Sequence, residues 1–252
     1  SIKLEISCKY FLNLSEVLIV KEFVMSNLST RVWCGVLVFF MVMPVSADTA
    51  WQTVTQAKKR GEVSSYVREV AGYAVKSFKG VVEAPYPMTS ILAVLSDING
   101  LPNWAFQCER AYQEDNWPDV VYYMEFHTPW PVSNREAVLK NTATQDLNTF
   151  AITINTVAIS GYVPASKKRV RVPELNNRFY LEPLKDGWTR VSFETLVDPG
   201  GAIPAWMSNW IATSAPKETL SALVKQAALP RYQVKAENLH IGGLKEVLMP
   251  NK

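Results

Sequence analysis

Apolar and polar positions alternate from Ser64 to Ala84, and apolar residues recurring at helical spacing elsewhere mark where helices fall. Ser64 to Ala84 is rich in Val, Tyr and Phe, and breaks at Ala71-Gly72 and Lys79-Gly80 divide it into two or three strands. Ahead of it, Trp51 to Arg60 reads as a short helix. Pro87-Met88-Thr89 opens another, carrying Met88, Ile91, Leu92 and Leu95 on one face and ending at Asn99-Gly100. A further short helix is expected at 101–106, around Trp104. Strands are expected at 107–114, 119–128, 136–144, 148–160, 169–174, 177–184 and 188–197, with turn chemistry at 116–119, 146–148 and Lys185-Asp186-Gly187. Pro199-Gly200-Gly201 forms a turn, since proline fixes φ and glycine tolerates shapes other residues avoid. Beyond it Ile203, Trp206, Met207, Trp210 and Ile211 recur at helical spacing. That helix extends to about Ala228, and Pro216 inside it should kink or restart it, with Ser214 as N-cap.

The order of elements is α+β, in which a curved antiparallel sheet can wrap one long amphipathic helix. The stripe from Ile203 to Ile211 is either plain core or the wall of a ligand cavity, and spacing does not separate the two. The composition, 48% hydrophobic and 19% charged in 252 residues, is that of a globular protein. A net charge of +3 is too small to argue for nucleic acid, and Lys167-Lys168-Arg169 with Arg171 reads as a solvated strand end. His127 and His240 share no ligand-type spacing, so neither a metal nor another cofactor is expected.

The N-terminal region reads as a targeting segment. Arg31 precedes an apolar run of twelve residues, Val32 to Met43, followed by Pro44-Val45-Ser46-Ala47. The run is short of the about 20 residues that span a bilayer. A signal peptide at 25–47, cleaved after Ala47, is therefore expected, with export and a periplasmic location. An uncleaved anchor is the alternative, and residues 1–24 read as an upstream extension. From Asp48 onward Cys108 is the sole cysteine, so the mature chain forms no internal disulfide and relies on its core.

Two motifs narrow the reading. One is Pro129-Trp130-Pro131-Val132-Ser133-Asn134-Arg135-Glu136. The other, about sixty residues later, is the run from Asp198 to Trp210, D-P-G-G-A-I-P-A-W-M-S-N-W. Together, in this order and at this separation, they resemble the START (StAR-related lipid transfer) family. The resemblance covers roughly residues 50–230 and implies a START-like domain at 48–230, followed by a tail at 231–252. It implies the helix-grip fold, a curved antiparallel sheet around the long C-terminal helix enclosing an apolar tunnel. The expected function is non-catalytic binding and transfer of one lipid or other hydrophobic small molecule by a monomer that touches membranes transiently. By the same resemblance, Tyr122, Met124, Leu139, Asn141, Trp206, Met207, Trp210 and Ile211 are the ligand-binding residues, and Glu174 is added to them as a candidate. Pro129, Trp130, Pro131 and Val132, with Gly200 and Gly201, form a membrane-facing gate. Arg135 and Asp198 are structural, with Glu194 or Asp198 as the ion-pair partner of Arg135.

Departures from the family bear on the ligand. Its phosphatidylcholine-carrying members hold the phosphate with an arginine where this chain has Leu101, and cage the choline with aromatics where it has Met124 and Leu139. A cation–π cage needs aromatic faces, so a phosphocholine ligand is disfavoured. Sterol-binding members place an arginine about where Asn141 stands. The wider helix-grip superfamily also contains polyketide cyclases and hydrolases, which makes an enzyme the alternative. His127, Glu174 and Cys108 are its only loose candidates, and no Ser-His-Asp order or Gly-x-Ser-x-Gly elbow accompanies them.

Overall fold

The computed structural model describes residues 50–118, 120–242, 244 and 246–249. The expected extension and signal peptide lie outside the described residues. Ten strands, β1 (Gln52–Thr55), β2 (Ser64–Arg68), β3 (Ser77–Ala84), β4 (Cys108–Tyr112), β5 (Val121–Phe126), β6 (Arg135–Gln145), β7 (Ile152–Ile159), β8 (Val170–Arg171), β9 (Glu174–Pro183) and β10 (Thr189–Asp198), form one sheet. Its order is β1-β2-β3-β10-β9-β7-β6-β5-β4, antiparallel throughout, with β8 added parallel to β6. Helix α1 (Met88–Ser96) and a 3-10 turn (Ile98–Asn103) connect β3 to β4. Helix α2 (Ala205–Ala227) packs on β2, β3, β10 and α1. This is the α+β, helix-grip arrangement expected.

The strand alternation accounts for the packing. Along β3, Phe78, Val82 and Ala84 are buried, and along β10 so are Val191, Phe193 and Thr195. Phe193 stacks on its cross-strand partner Phe179 at 4.5 Å between ring centroids and meets Phe78 edge-on at 6.1 Å. Gly80 sits in the same row. A Cβ there would lie 2.7 Å from Leu220 Cδ1 and 3.2 Å from the Pro216 carbonyl oxygen, so glycine is what lets α2 lie directly on the sheet.

Three local expectations are corrected. Trp51–Arg60 is not a helix: Gln52–Thr55 pairs with β2, because Thr53, Val54 and Thr55 are β-branched and favour an edge strand. Arg68 stacks over the Trp51 ring at 4.6 Å. Pro216 does not restart the long helix. It removes one backbone donor, but α2 continues through it, buried against Gly80, and no second helix begins at Ser214. The strand expected at 169–174 is only the two residues of β8, and Glu174 already belongs to β9.

Residues 231–249 pack on the body as far as they are described. The Tyr232 hydroxyl donates to Asp97 Oδ2 at 2.7 Å, Gln145 bonds the backbone of Leu248, and Ile241 and Val247 are buried. On the outer side of the sheet, Glu136 is 1% exposed and accepts from the Tyr123 hydroxyl at 2.6 Å, the Ser166 amide at 2.8 Å and the Arg171 guanidinium at 2.9 Å. Burial pushes its carboxyl up, but these donors outweigh that and hold it below the usual range. Adjacent motif residues thus serve opposite faces, Arg135 inward and Glu136 outward.

Candidate functional site

Between α2 and the inner face of the sheet lies a cavity with about 170 Å³ open to the centres of water molecules. Its wall is mostly apolar. Tyr122 and Met124 of β5, Leu139 of β6, and Met207, Trp210 and Ile211 of α2 all line it. Residues the sequence reading missed complete it: Leu101, Trp104 and Phe106 after α1, Leu175, Asn177 and Phe179 of β9, and Phe193, Thr195 and Val197 of β10. Period-two alternation carried a signal for the β9 and β10 residues, once their odd-numbered positions are seen to face inward.

Three expected lining residues fall elsewhere. Glu174 has the outward parity of β9; it is exposed and accepts hydrogen bonds from Tyr73 at 2.6 Å and Asn176 at 2.9 Å. Trp206 is 51% exposed, because one residue of helix turns it about 100° from buried Met207. Asn141 shares the inward parity of Leu139 but lies beyond the cavity, where its Oδ1 accepts from Thr156 Oγ1 at 2.7 Å.

Two loops meet at one end of the cavity. Pro129–Val132 projects Trp130 almost fully into solvent, 91% exposed, and the Trp130-Pro131 peptide is cis. Thr128 ties the loop base together, donating from its hydroxyl to the Ser133 carbonyl at 2.6 Å, while its amide donates to Asn134 Oδ1 at 3.0 Å. Opposite, Gly200 and Gly201 adopt positive φ of 70° and 64°. At Gly200 a Cβ would also meet the Arg171 carbonyl and Pro173 at 3.1 Å. Asp198 Oδ1 accepts from the Gly200 amide at 2.9 Å and shapes that turn.

Arg135 fastens the two loops. Its guanidinium, on a side chain 4% exposed, donates to the Ser133 carbonyl at 2.5 Å, the Gly200 carbonyl at 3.2 Å and the Pro199 carbonyl at 3.5 Å. The expected ion pair is corrected: Glu194 and Asp198 have the outward parity of β10, and Glu194 pairs instead with Arg68 at 3.1 Å. Burial pulls the Arg135 guanidinium below its ordinary value, and among the described residues no carboxylate pairs with it.

The loose catalytic candidates do not converge. Burial pushes the Cys108 thiol up to about 12, which leaves it a protonated, inert group at neutral pH. His127 is exposed at the mouth, and Glu174 is on the outer side. Among the described residues no group of three or more His, Cys, Asp or Glu could hold a metal.

A curved sheet gripping one long helix over an apolar cavity is the helix-grip architecture, and comparison names the family. The START domain family model matches residues 38–227, and the chain belongs to that family, whose members generally bind or transfer lipids. An uncharacterized protein of Pseudomonas aeruginosa is 30% identical over 168 residues, covering 66% of this chain and 83% of that protein. The phosphatidylcholine transfer protein of Rattus norvegicus is 25% identical over 188 residues, covering 72% of this chain and 86% of its own. Among solved structures, a StAR-related lipid transfer protein fragment from Xanthomonas axonopodis superposes with a TM-score of 0.63 at 29% identity, covering 71% of this chain and 99% of that fragment.

Proposed function

We propose that this protein carries a single hydrophobic ligand, a lipid, in the cavity between α2 and the sheet, and exchanges it with membranes without chemical change. The observation that carries the reading is the apolar wall of that cavity. Each methylene moved out of water contributes about 0.8 kcal/mol, so ten of them supply about 8 kcal/mol, a micromolar affinity before any polar contact. The open volume of about 170 Å³ is below the about 300–1,000 Å³ of pockets that hold small ligands, so loading must widen it. Met124 and Met207, unbranched and deformable, are where the wall gives most readily.

In this reading the two loops at the mouth are the gate. Trp130 and Trp206, both exposed, meet the headgroup region, where tryptophan is favoured. Arg135 holds the loops closed in water through carbonyl hydrogen bonds that a polar interface can replace. Export to the periplasm is part of the proposal and rests on the apolar run before Ala47 alone. The test is transfer of a fluorescent lipid from quenched donor vesicles to acceptor vesicles. A rate proportional to protein concentration is expected; transfer indistinguishable from the protein-free control would overturn the carrier reading.

A further inference from the structure

One row of residues crosses the inner face of the sheet at right angles to the strands, and it is polar. Asn141 on β6 lies opposite Thr156 on β7, Thr156 opposite Asn177 on β9, and Asn177 opposite Thr195 on β10. The rows on either side are apolar. Ala143, Ile154, Phe179 and Phe193 flank it on one side, and Leu139, Ala158, Leu175 and Val197 on the other. Thr156, Asn177 and Thr195 all line the cavity.

The hydrogen bonds of this row are complete at one end and open at the other. Thr156 Oγ1 donates to Asn141 Oδ1 at 2.7 Å. Asn177 Oδ1 and Thr195 Oγ1 are buried and have no hydrogen-bond partner among the described residues. Neither does Trp104 Nε1, whose ring packs edge-on against Phe179 at 6.1 Å, two residues along the strand from Asn177. A buried polar atom without a partner is unfavourable, so an amide oxygen that accepts, a hydroxyl that can donate or accept and an indole donor around one cavity call for something to bond them. Asn177 and Thr195 are directly opposed, with Cβ atoms about 5 Å apart, close enough for one ligand group to reach both.

The charge of that group follows from what is missing around it. Among the described lining residues the charged or readily charged side chains are Arg135 and His127, both at the mouth. Thr195 is four residues from Pro199, about 13 Å along the strand. A phosphate or carboxylate placed there would be stripped of water with no cation facing it. We propose that Asn177, Thr195 and Trp104 recognise an uncharged lipid bearing a hydroxyl or carbonyl group, held with that group inward against the polar row. The proposal rests on the carrier reading and adds to it a ligand class and an orientation.

The experiment uses vesicles of dioleoylphosphatidylcholine containing one tenth dioleoylglycerol. Protein is incubated with them, separated by gel filtration, and its bound lipids are quantified by mass spectrometry. Binding of diphenylhexatriene, a wholly apolar probe, is measured in parallel. Wild-type protein is expected to enrich dioleoylglycerol over the phospholipid at least about tenfold relative to the vesicle. Thr195→Val, nearly the same shape, and Asn177→Leu should each lower that enrichment about tenfold, one neutral hydrogen bond's worth, while diphenylhexatriene still binds. Enrichment that survives in both variants, or equal uptake of the two lipids by the wild type, would overturn the assignment and leave the carrier reading standing. Failure to take up either lipid or diphenylhexatriene would overturn both. Thr195→Val alone decides the matter if Asn177→Leu does not fold.

Discussion

Replacing Trp130 with alanine separates a membrane-gating residue from a packing residue. At 91% exposure the side chain makes little contact with the fold, so the substitution should cost less than about 0.5 kcal/mol of stability. For a domain of about 200 residues that is a shift in Tm of under about 2 °C. A buried tryptophan would instead cost about 3–5 kcal/mol. At a membrane surface the balance reverses. Tryptophan can bury about 150–250 Å². Inserting half of that, at about 25 cal/mol per Å², contributes about 2.5 kcal/mol, so membrane engagement should weaken roughly 10- to 100-fold. Vesicle-to-vesicle transfer should slow correspondingly, while the amount of lipid held by protein already loaded stays unchanged. The assay is transfer rate per folded molecule at limiting vesicle concentration, with melting followed on the same samples. A variant that melts many degrees lower, yet transfers at the normal rate, would refute the placement of Trp130 at the gate.

Four other perturbations probe the rest of the account. Met207→Trp projects extra volume into the cavity and should weaken diphenylhexatriene binding at least about tenfold, with no more than the about 1–3 kcal/mol of overpacking in urea unfolding; unchanged binding would place Met207 in solid core. Gly80→Ala drives a methyl into Leu220 and the Pro216 carbonyl and should lower stability by about 1–3 kcal/mol, measured by the same unfolding midpoint. Glu136, held below its ordinary value of 4.5, contributes stability that is fully present above that pH and is lost as pH falls through the lower folded value; urea midpoints should therefore drop below about pH 4.5. Glu136→Gln should flatten that drop and cost about 3 kcal/mol at neutral pH, because Arg171 then loses its carboxylate.

Local pattern was enough to read the long strands and the start of α2. The Pro-Gly-Gly turn and the stripe after it are determined by neighbours in sequence, and Met207, Trp210 and Ile211 do reach the cavity. Trp206 failed because a stripe read by spacing alone is wider than the face that α2 buries. Glu174 fails on parity: the sequence pattern starts that strand at residue 177, three residues after β9 begins, and does not mark which set faces inward. A carboxylate partner is what a sequence suggests for Arg135, because only side chains are visible in it. Its partners are backbone carbonyls of Ser133, Pro199 and Gly200, which any residue type could supply. The polar row was hidden for a deeper reason. Asn141, Thr156, Asn177 and Thr195 are spread over fifty-odd residues, and only the order β6-β7-β9-β10 and its register line them up.

The central claim is occupancy of the cavity by a lipid, and native mass spectrometry of the protein purified without detergent tests it most directly. Expression should load the protein from the host membrane, and extraction of the bound fraction should release a lipid that gel filtration does not remove. The account predicts a species heavier than the bare chain by the mass of one lipid, displaced by diphenylhexatriene and diminished in Met207→Trp. A spectrum of bare chain only, from protein that also fails to acquire mass after incubation with vesicles, would contradict it.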